Sequence, residues 1–359
     1  MKRVLLATTA LVAAGGFAAA AQAQDMMVPM EIGVGGYYTI AAIGYDEDGA
    51  NDRGHGINQN MEMQLRAEAT LDNGITSGVR VRFTANDYEH SDEQEVYFKG
   101  GFGSLHIGAI EGAAQQTVIW APGGSVPIGG IKSPWFRSIG AMWTNAHMNE
   151  DALKVLYFSP VFNGISLAAS YAPEDNTNSY GTGFDGGWSN DSRIGYDDDD
   201  NPTYGDSHHH GEEISVALSY SVDVMGGTFS ANVGYDALST ESLNGASCVA
   251  SATQVCDPDG LRYGASVSID QIAIGGAVYQ HDAPGGSNVA KSDFGVSWTD
   301  GPMMLGVQYG DNESNNSNIV AFNANYNLGP GIDLGMQIGA GEKGMNDFTQ
   351  VLLGTMLNF

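Results

Sequence analysis

A two-residue alternation of apolar and polar side chains runs through most of the chain. In MEMQLRAEAT, residues 61–70, the odd positions are apolar and the even positions are polar. An extended strand sends alternate side chains to opposite faces, so this pattern predicts a sheet with one apolar and one polar face. The pattern recurs in 78–86, 164–171, 213–222 and 261–269, and again in 302–311, 317–328, 331–341 and 347–359.

The number of these segments predicts an all-β fold. We count about sixteen segments of about ten residues, separated by turn signals such as Asp72-Asn73-Gly74. Short connections alternate with long ones such as 173–211 and 238–260, as in an antiparallel meander. Gly, Ala and Ser are too abundant for the interlocking core of a soluble sandwich. A closed antiparallel transmembrane β-barrel, with lipid outside and water inside, needs only this alternation.

The N-terminus has the features of an export signal. Two basic residues precede a long apolar run and an Ala-Gln-Ala site at 21–23. This order predicts a signal peptide over residues 1–23, removed after Ala23, and a single barrel domain over 24–359. The barrel is therefore expected to be exported.

Acidic residues outnumber basic ones by 42 to 14, for a formal net charge of -28. Such a charge argues against nucleic acid as a partner, because binding phosphates requires clustered Lys and Arg. It suits a surface bathed in divalent cations, and loose cation binding is one interpretation of the His- and Asp-rich loop 197–213, which contains His208-His209-His210. A solvated external loop is the simpler interpretation, and no dedicated metal site or cofactor is expected.

The chain lacks the sequence signatures of catalysis. His106 and many serines share the polar face of their strands, but no nucleophile elbow and no His-Glu-x-x-His motif is present. We therefore predict that the protein is not an enzyme. The polar face has the composition expected of the wall of an aqueous path.

Two cysteines, Cys248 and Cys256, lie close together in the chain. Two thiols alone make a poor zinc site, and an exported chain meets oxidising conditions. We therefore expect one local disulfide at the tip of an external loop.

Three segments resemble a known family. EVYFKGGFGSLHIGAIEGA (95–113) and KVLYFSPVFNGISLAASYAPE (154–174) are similar to segments of Gram-negative outer-membrane general-diffusion porins of the alphaproteobacterial type. The ending VLLGTMLNF (351–359) resembles the last strand of outer-membrane barrels. The resemblance implies a sixteen-stranded homotrimeric barrel in the outer membrane, in contact with lipid and lipopolysaccharide. It also implies passive diffusion of ions and small hydrophilic solutes through a water-filled channel.

The resemblance further implies that a long third loop, about 111–150, folds into the lumen and narrows it. A structureless loop of this length is otherwise unusual in a compact fold. Family members commonly oppose a basic wall with an acidic loop. This loop begins at Glu111 but is otherwise acid-poor, and it carries Lys132 and Arg137. We therefore expect these three residues near the constriction and no strong transverse field.

Charged residues on the polar face of the second and third segments are the best candidates for the pore lining. They are Glu62, Arg66, Glu68, Arg80 and Arg82. An odd-numbered turn is required to bring the two sets onto one face. Two registers then remain: one places Glu68 opposite Arg80 and Arg66 opposite Arg82, and the other places Arg66 opposite Arg80. Because like charges directly opposite each other are unfavourable, we favour the first.

Two other functions fit the same sequence. One is a channel of this fold that prefers a particular substrate. The other is a structural or adhesive barrel with a plugged lumen, whose acidic loops bind partners. Ion conductance across a planar bilayer distinguishes the channels from the structural barrel.

The cysteine pair generates a first prediction. A thiol reagent should label neither Cys248 nor Cys256 in the native protein and should label both after reduction, because the two thiols are joined. Barrel assembly should be unaffected by reduction, since strand pairing does not depend on this loop. Two reactive thiols before reduction would contradict the disulfide.

Overall fold

The computed structural model describes residues 30–48, 54–84, 93–132, 144, 152–173, 193–196, 202–204, 208–242, 256–283, 287–314 and 316–359. The described strands are β1 (Glu31–Glu47), β2 (His55–Thr70), β3 (Thr76–Thr84), β4 (Gln94–Gly100), β5 (Gly103–Ala109), β6 (Leu153–Phe158), β7 (Ile165–Ala172), β8 (Arg193–Tyr196), β9 (Pro202–Tyr204), β10 (His208–Val224), β11 (Gly227–Ser242), β12 (Asp259–Ile269), β13 (Ile272–Ala283), β14 (Ser287–Asp300), β15 (Met303–Asn312), β16 (Ser317–Gly329), β17 (Ile332–Lys343) and β18 (Asn346–Asn358). A short helix, α1 (Ala113–Gln116), and a 3-10 turn (Gly130–Lys132) lie between β5 and β6.

Sixteen of these strands form one closed antiparallel barrel, which confirms the predicted fold class. Strands that are neighbours in the barrel are also consecutive in the chain, except that β7 pairs with β10 and β18 pairs with β1. The intervening strands β8 and β9 form a separate two-stranded sheet in that long connection. The barrel is therefore a meander with tight turns at one end and the longer connections at the other.

The last strand closes the barrel against the first. β18 pairs with β1 in an uninterrupted register from Tyr37 opposite Asn358 to Glu47 opposite Phe348. Beyond the strand, Phe359 exchanges two backbone hydrogen bonds with Gly36, at 2.9 and 3.0 Å. Because every strand then has two neighbours, the barrel leaves no open edge.

The two faces of the wall differ as the alternation predicts. Large apolar side chains are exposed on one face, and polar side chains are buried on the other. Exposed members of the first set include Val79, Val96, Ile107, Val155, Val216, Val307, Val320, Ile338 and Leu353. The polar set lies on the inner face. The connection between β5 and β6 contacts polar side chains of this set on opposite sides of the closed barrel, which is possible only from inside. Among the described residues, no helix is long and apolar enough to cross a membrane.

The turn between β2 and β3 corrects the predicted register. Leu71 and Ile75 are joined by a backbone hydrogen bond of 2.8 Å and enclose a three-residue loop that ends at Gly74. Gly74 has a φ of 81°, a conformation that glycine adopts without a steric cost. The odd parity expected from the sequence is right. The chosen register is wrong, because Arg66 lies opposite Arg80.

The other residue pairs between β2 and β3 follow the same register. Arg82 lies opposite Gln64, and Glu68 lies opposite Gly78. The cost of the Arg66–Arg80 pair is offset by carboxylates elsewhere, because Glu95 on β4 lies directly opposite Arg80. The pairing of β2 with β3 alone does not include this carboxylate, because it lies on a third strand.

The closure of the barrel generates a second prediction. Deleting Phe359 removes two backbone hydrogen bonds between the chain ends, each worth about 0.5–1.5 kcal/mol. We expect less folded, heat-modifiable barrel on gels after refolding. Replacing Phe359 with Ala is the matched control for the ring, since it keeps both backbone bonds. A normal yield of folded barrel from the deletion would show that this closure is dispensable.

Candidate pore and its constriction

Two arginines on β3 are embedded in a row of carboxylates on the inner face. Arg80 Nε lies 2.8 Å from Glu95 Oε1, and its Nη2 lies 3.2 Å from Glu93 Oε2. Arg82 Nη2 lies 2.8 Å from Glu62 Oε2, and its Nη1 donates to Glu93 Oε1. Glu93 therefore bridges the two guanidinium groups.

The row continues beyond the arginines at both ends. Glu95 Oε2 lies 2.6 Å from Nδ1 of His106 on β5. At the other end, Gln64 donates to Glu62 at 2.6 Å. We call the connected set Glu62, Arg82, Glu93, Arg80, Glu95 and His106 the ladder. It spans the inner wall from β2 to β5.

A separate pair lies beside the ladder. Arg66 is 3.3 Å from Glu68 on the same strand, and Glu68 also accepts a hydrogen bond of 2.7 Å from the Tyr97 hydroxyl. The Arg66 side chain is 55% exposed, so this pair is much wetter than the ladder. Exposed pairs of this kind contribute little to stability.

Exposure within the ladder is unequal. The carboxylates of Glu62, Glu93 and Glu95 are between 3% and 6% exposed, whereas Arg80 and Arg82 are 29% and 23% exposed. The arginine side chains are therefore the part of these ion pairs most open to the lumen, and the carboxylates are almost fully covered. An ion in the lumen is close to the positive groups but also experiences the negative charge of the carboxylates paired with them.

Residues 110–132, which we call the loop segment, begin by docking on β7 and β10. The backbone N–H groups of Ala113 and Ala114 donate to the hydroxyls of Ser170 and Ser215, at 3.0 and 2.8 Å. Helix α1 has no side-chain cap of its own. The wall serines satisfy donors that would otherwise remain unpaired at its N-terminus.

A buried arginine on β12 then holds the connection at two separate points. Arg262 Nε donates to the carbonyl of Thr144 at 2.5 Å, and its Nη2 donates to the carbonyl of Ile119. Its Nη1 donates to Asn232 at 3.0 Å, and its guanidinium lies 5.5 Å from the ring centroid of Trp120. Arg262 is fully buried and therefore positions the connection between β5 and β6.

A chain of four buried amides supports the next part of the loop segment. Gln350 donates to Gln337 at 2.9 Å, and Gln337 donates to Asn323 at 3.0 Å. Asn323 donates to Gln308 at 3.2 Å, and Gln308 donates to the carbonyl of Ala121 at 3.0 Å. Each bond fixes the orientation of the next amide, so four strands act together on one loop carbonyl.

Glycines on the inner face leave room for the loop backbone. An added Cβ at Gly306 would overlap the backbone of Gly123, and one at Gly295 would overlap the carbonyl of Pro122. Further along, Ile128 packs in an apolar cluster with buried residues of β1 and β18. The loop segment thus follows the inner wall from β7 around to β1.

The predicted loop and cysteine residues lie in different places in the structure, and some of them lie outside the described residues. Glu111 lies at the start of the loop segment, where its carboxylate accepts a hydrogen bond of 2.9 Å from Gln115. Lys132 ends the 3-10 turn. Arg137 and Cys248 lie outside the described residues, as do 1–29 and 197–201. Cys256 is disulfide-bonded.

Sequence reasoning missed three important residues. Glu95 shares the inner parity of its strand, so a three-strand register could have found it. Glu93 and Arg262 also share the polar parity of their segments, but alternation does not indicate their partners, which are set by a strand end and by a distant loop. Arg262 and Ile119 are 143 positions apart in the chain.

A sequence profile described as Gram-negative porin matches residues 7–344. The chain belongs to the Gram-negative porin family. The match covers nearly the whole chain, which confirms the resemblance seen in the sequence. The protein is therefore an outer-membrane porin that forms a diffusion channel for ions and small solutes.

Solved porin structures share the fold. The anion-selective porin from Comamonas acidovorans is 15% identical with a TM-score of 0.58, covering 92% of this chain and 100% of that chain. A variant of the Rh. blastica porin is 12% identical with a TM-score of 0.56 and the same coverage. At these identities the similarity establishes the barrel architecture alone. No curated protein sequence matches this porin.

The seat of the loop generates a third prediction. In Gly306→Ala the new methyl group must displace Gly123, since ordinary carbon contacts need about 3.5–4.0 Å. We expect the loop to move into the lumen, a lower single-channel conductance and a loss of about 1–3 kcal/mol of stability. Gly56→Ala is the control, because a Cβ there meets nothing within 4 Å. Equal conductance in both variants would show that this contact does not position the loop.

Proposed function

We propose that ions and small hydrophilic solutes pass between the ladder and the loop segment. The contrast in exposure supports this path. Inner side chains beneath the loop segment, such as Arg262, Gln308 and Gln337, are at most 1% exposed. Arg80 and Arg82, on the wall of β3, remain partly exposed. Water therefore has access to the ladder side of the lumen.

We further propose that the channel has a weak preference for cations. In the ladder, two arginines are matched by three carboxylates, so the wall does not present bare positive charge. The chain as a whole carries a formal charge of -28, which raises the cation concentration near the channel mouths. Salt screens these charges over about 8–10 Å near physiological ionic strength, so the preference should weaken at high salt.

Several finer features extend this proposal. Residues 1–23 act as a cleaved signal peptide, and the exported barrel assembles as a homotrimer in contact with lipid and lipopolysaccharide. Cys248 and Cys256 form the disulfide, and the acidic loops bind divalent cations only loosely. The porin carries out no catalysis and uses no cofactor. Instead, the polar inner side chains hold the loop segment in place and form the ladder.

Single-channel recording in planar bilayers tests the proposal directly. Open steps with a small positive cation preference are the expected result. A barrel that inserts but does not conduct would favour the plugged structural alternative. Saturation of the current by one solute class would favour the substrate-preferring channel.

The ladder generates a fourth prediction. Replacing Arg80 and Arg82 together with Ser removes two large side chains and two positive charges from the lumen. Conductance and cation preference should both rise, and the reversal potential in a salt gradient measures the second effect. An unchanged reversal potential would mean that these arginines do not line the narrow path.

A further inference from the structure

We propose that Glu93 determines the ion selectivity of this porin. The inference rests on the proposed path between the ladder and the loop segment. Glu93 lies immediately before β4, and it was not among the residues that the sequence pattern indicated. Its importance comes from its position between the two arginines that face the lumen.

The contacts of Glu93 distinguish it from the neighbouring carboxylates. Its two oxygens contact different arginines, Oε2 to Arg80 at 3.2 Å and Oε1 to Arg82. Glu62 contacts Arg82, and Glu95 divides its oxygens between Arg80 and His106. Among the residues that the structure describes, Glu93 is thus the carboxylate that contacts both guanidinium groups.

The backbone fixes this position. The carbonyl of Glu93 accepts a hydrogen bond of 2.8 Å from the backbone N–H of Arg82. The side chain is 4% exposed, so its charge is screened less than a charge in open water. The counter-charge is therefore attached to the barrel wall through the pairing of β3 with the start of β4 and does not belong to the loop segment.

Replacement of Glu93 by Gln would change both charge and hydrogen bonding. The amide keeps one acceptor oxygen, but its NH₂ group would face a guanidinium group, which can only donate. One arginine would lose a partner and the wall would gain one unit of positive charge. Acting over about 10 Å of water at about 0.1 M salt, a unit charge changes the cation-to-anion permeability ratio by about two-fold.

The experiment compares reversal potentials of the intact porin and its variants in a potassium chloride gradient across a planar bilayer. We expect Glu93→Gln to lower the cation-to-anion permeability ratio by about two-fold. Asp270→Asn is the control, because it removes the same charge from a tight turn between β12 and β13, where φ is 52° and Asn is tolerated. A ratio for Glu93→Gln equal to that of Asp270→Asn would overturn the inference.

Two further variants separate charge from structure. Arg82→Gln alone should raise the ratio by about two-fold, and the double variant Glu93→Gln with Arg82→Gln should return it toward the wild-type value. A double variant with the same ratio as Arg82→Gln would show that the charge of Glu93 is not felt in the channel. This comparison also decides the question if Glu93→Gln alone does not assemble, because the double variant keeps the charges balanced.

The recording of the wild-type porin separates failure of the proposed function from failure of the role of Glu93. A wild-type barrel that does not conduct overturns the proposed function. A wild type that conducts, combined with no effect of Glu93 in either background, overturns the role of Glu93 alone. A wild type that prefers anions overturns the proposed cation preference, while the shift between variants still tests Glu93.

Discussion

An unpaired backbone N–H or C=O group in hydrocarbon costs several kcal/mol, and this cost governs the whole structure. A sheet in lipid satisfies all its backbone groups only when it closes on itself. The continuous register between β1 and β18, completed by Gly36 and Phe359, meets that requirement. Closure forces one face of every strand outward and the other inward, so alternation of side chains becomes obligatory along the chain.

The inner face then carries out two separate tasks. From β7 around to β1, small residues, amides and the buried Arg262 hold the loop segment against the wall. From β2 to β5, charged residues form the ladder, which remains partly wet. The loop contacts and the charged residues therefore occupy different parts of the inner wall.

The ladder departs from the arrangement that the family resemblance implies. A basic wall facing an acidic loop would set up a field across the lumen. Here Glu62, Glu93 and Glu95 pair with the arginines on the same wall. Removing one partner from such a low-exposure pair is costly, because it leaves a poorly solvated charge. The arginines therefore need no acidic partner from the loop, because the wall itself supplies the carboxylates that pair with them.

The sequence alone determined the strands, their faces and the closed barrel, because a period of two is a local property that each segment displays by itself. It also determined the odd parity of the turn between β2 and β3. Only the tertiary structure decided that Arg66 faces Arg80, that Glu93 bridges two arginines and that Arg262 holds the loop segment. Those contacts depend on register and on groups up to 143 positions apart, and side-chain alternation carries no information about which distant partner satisfies a buried charge.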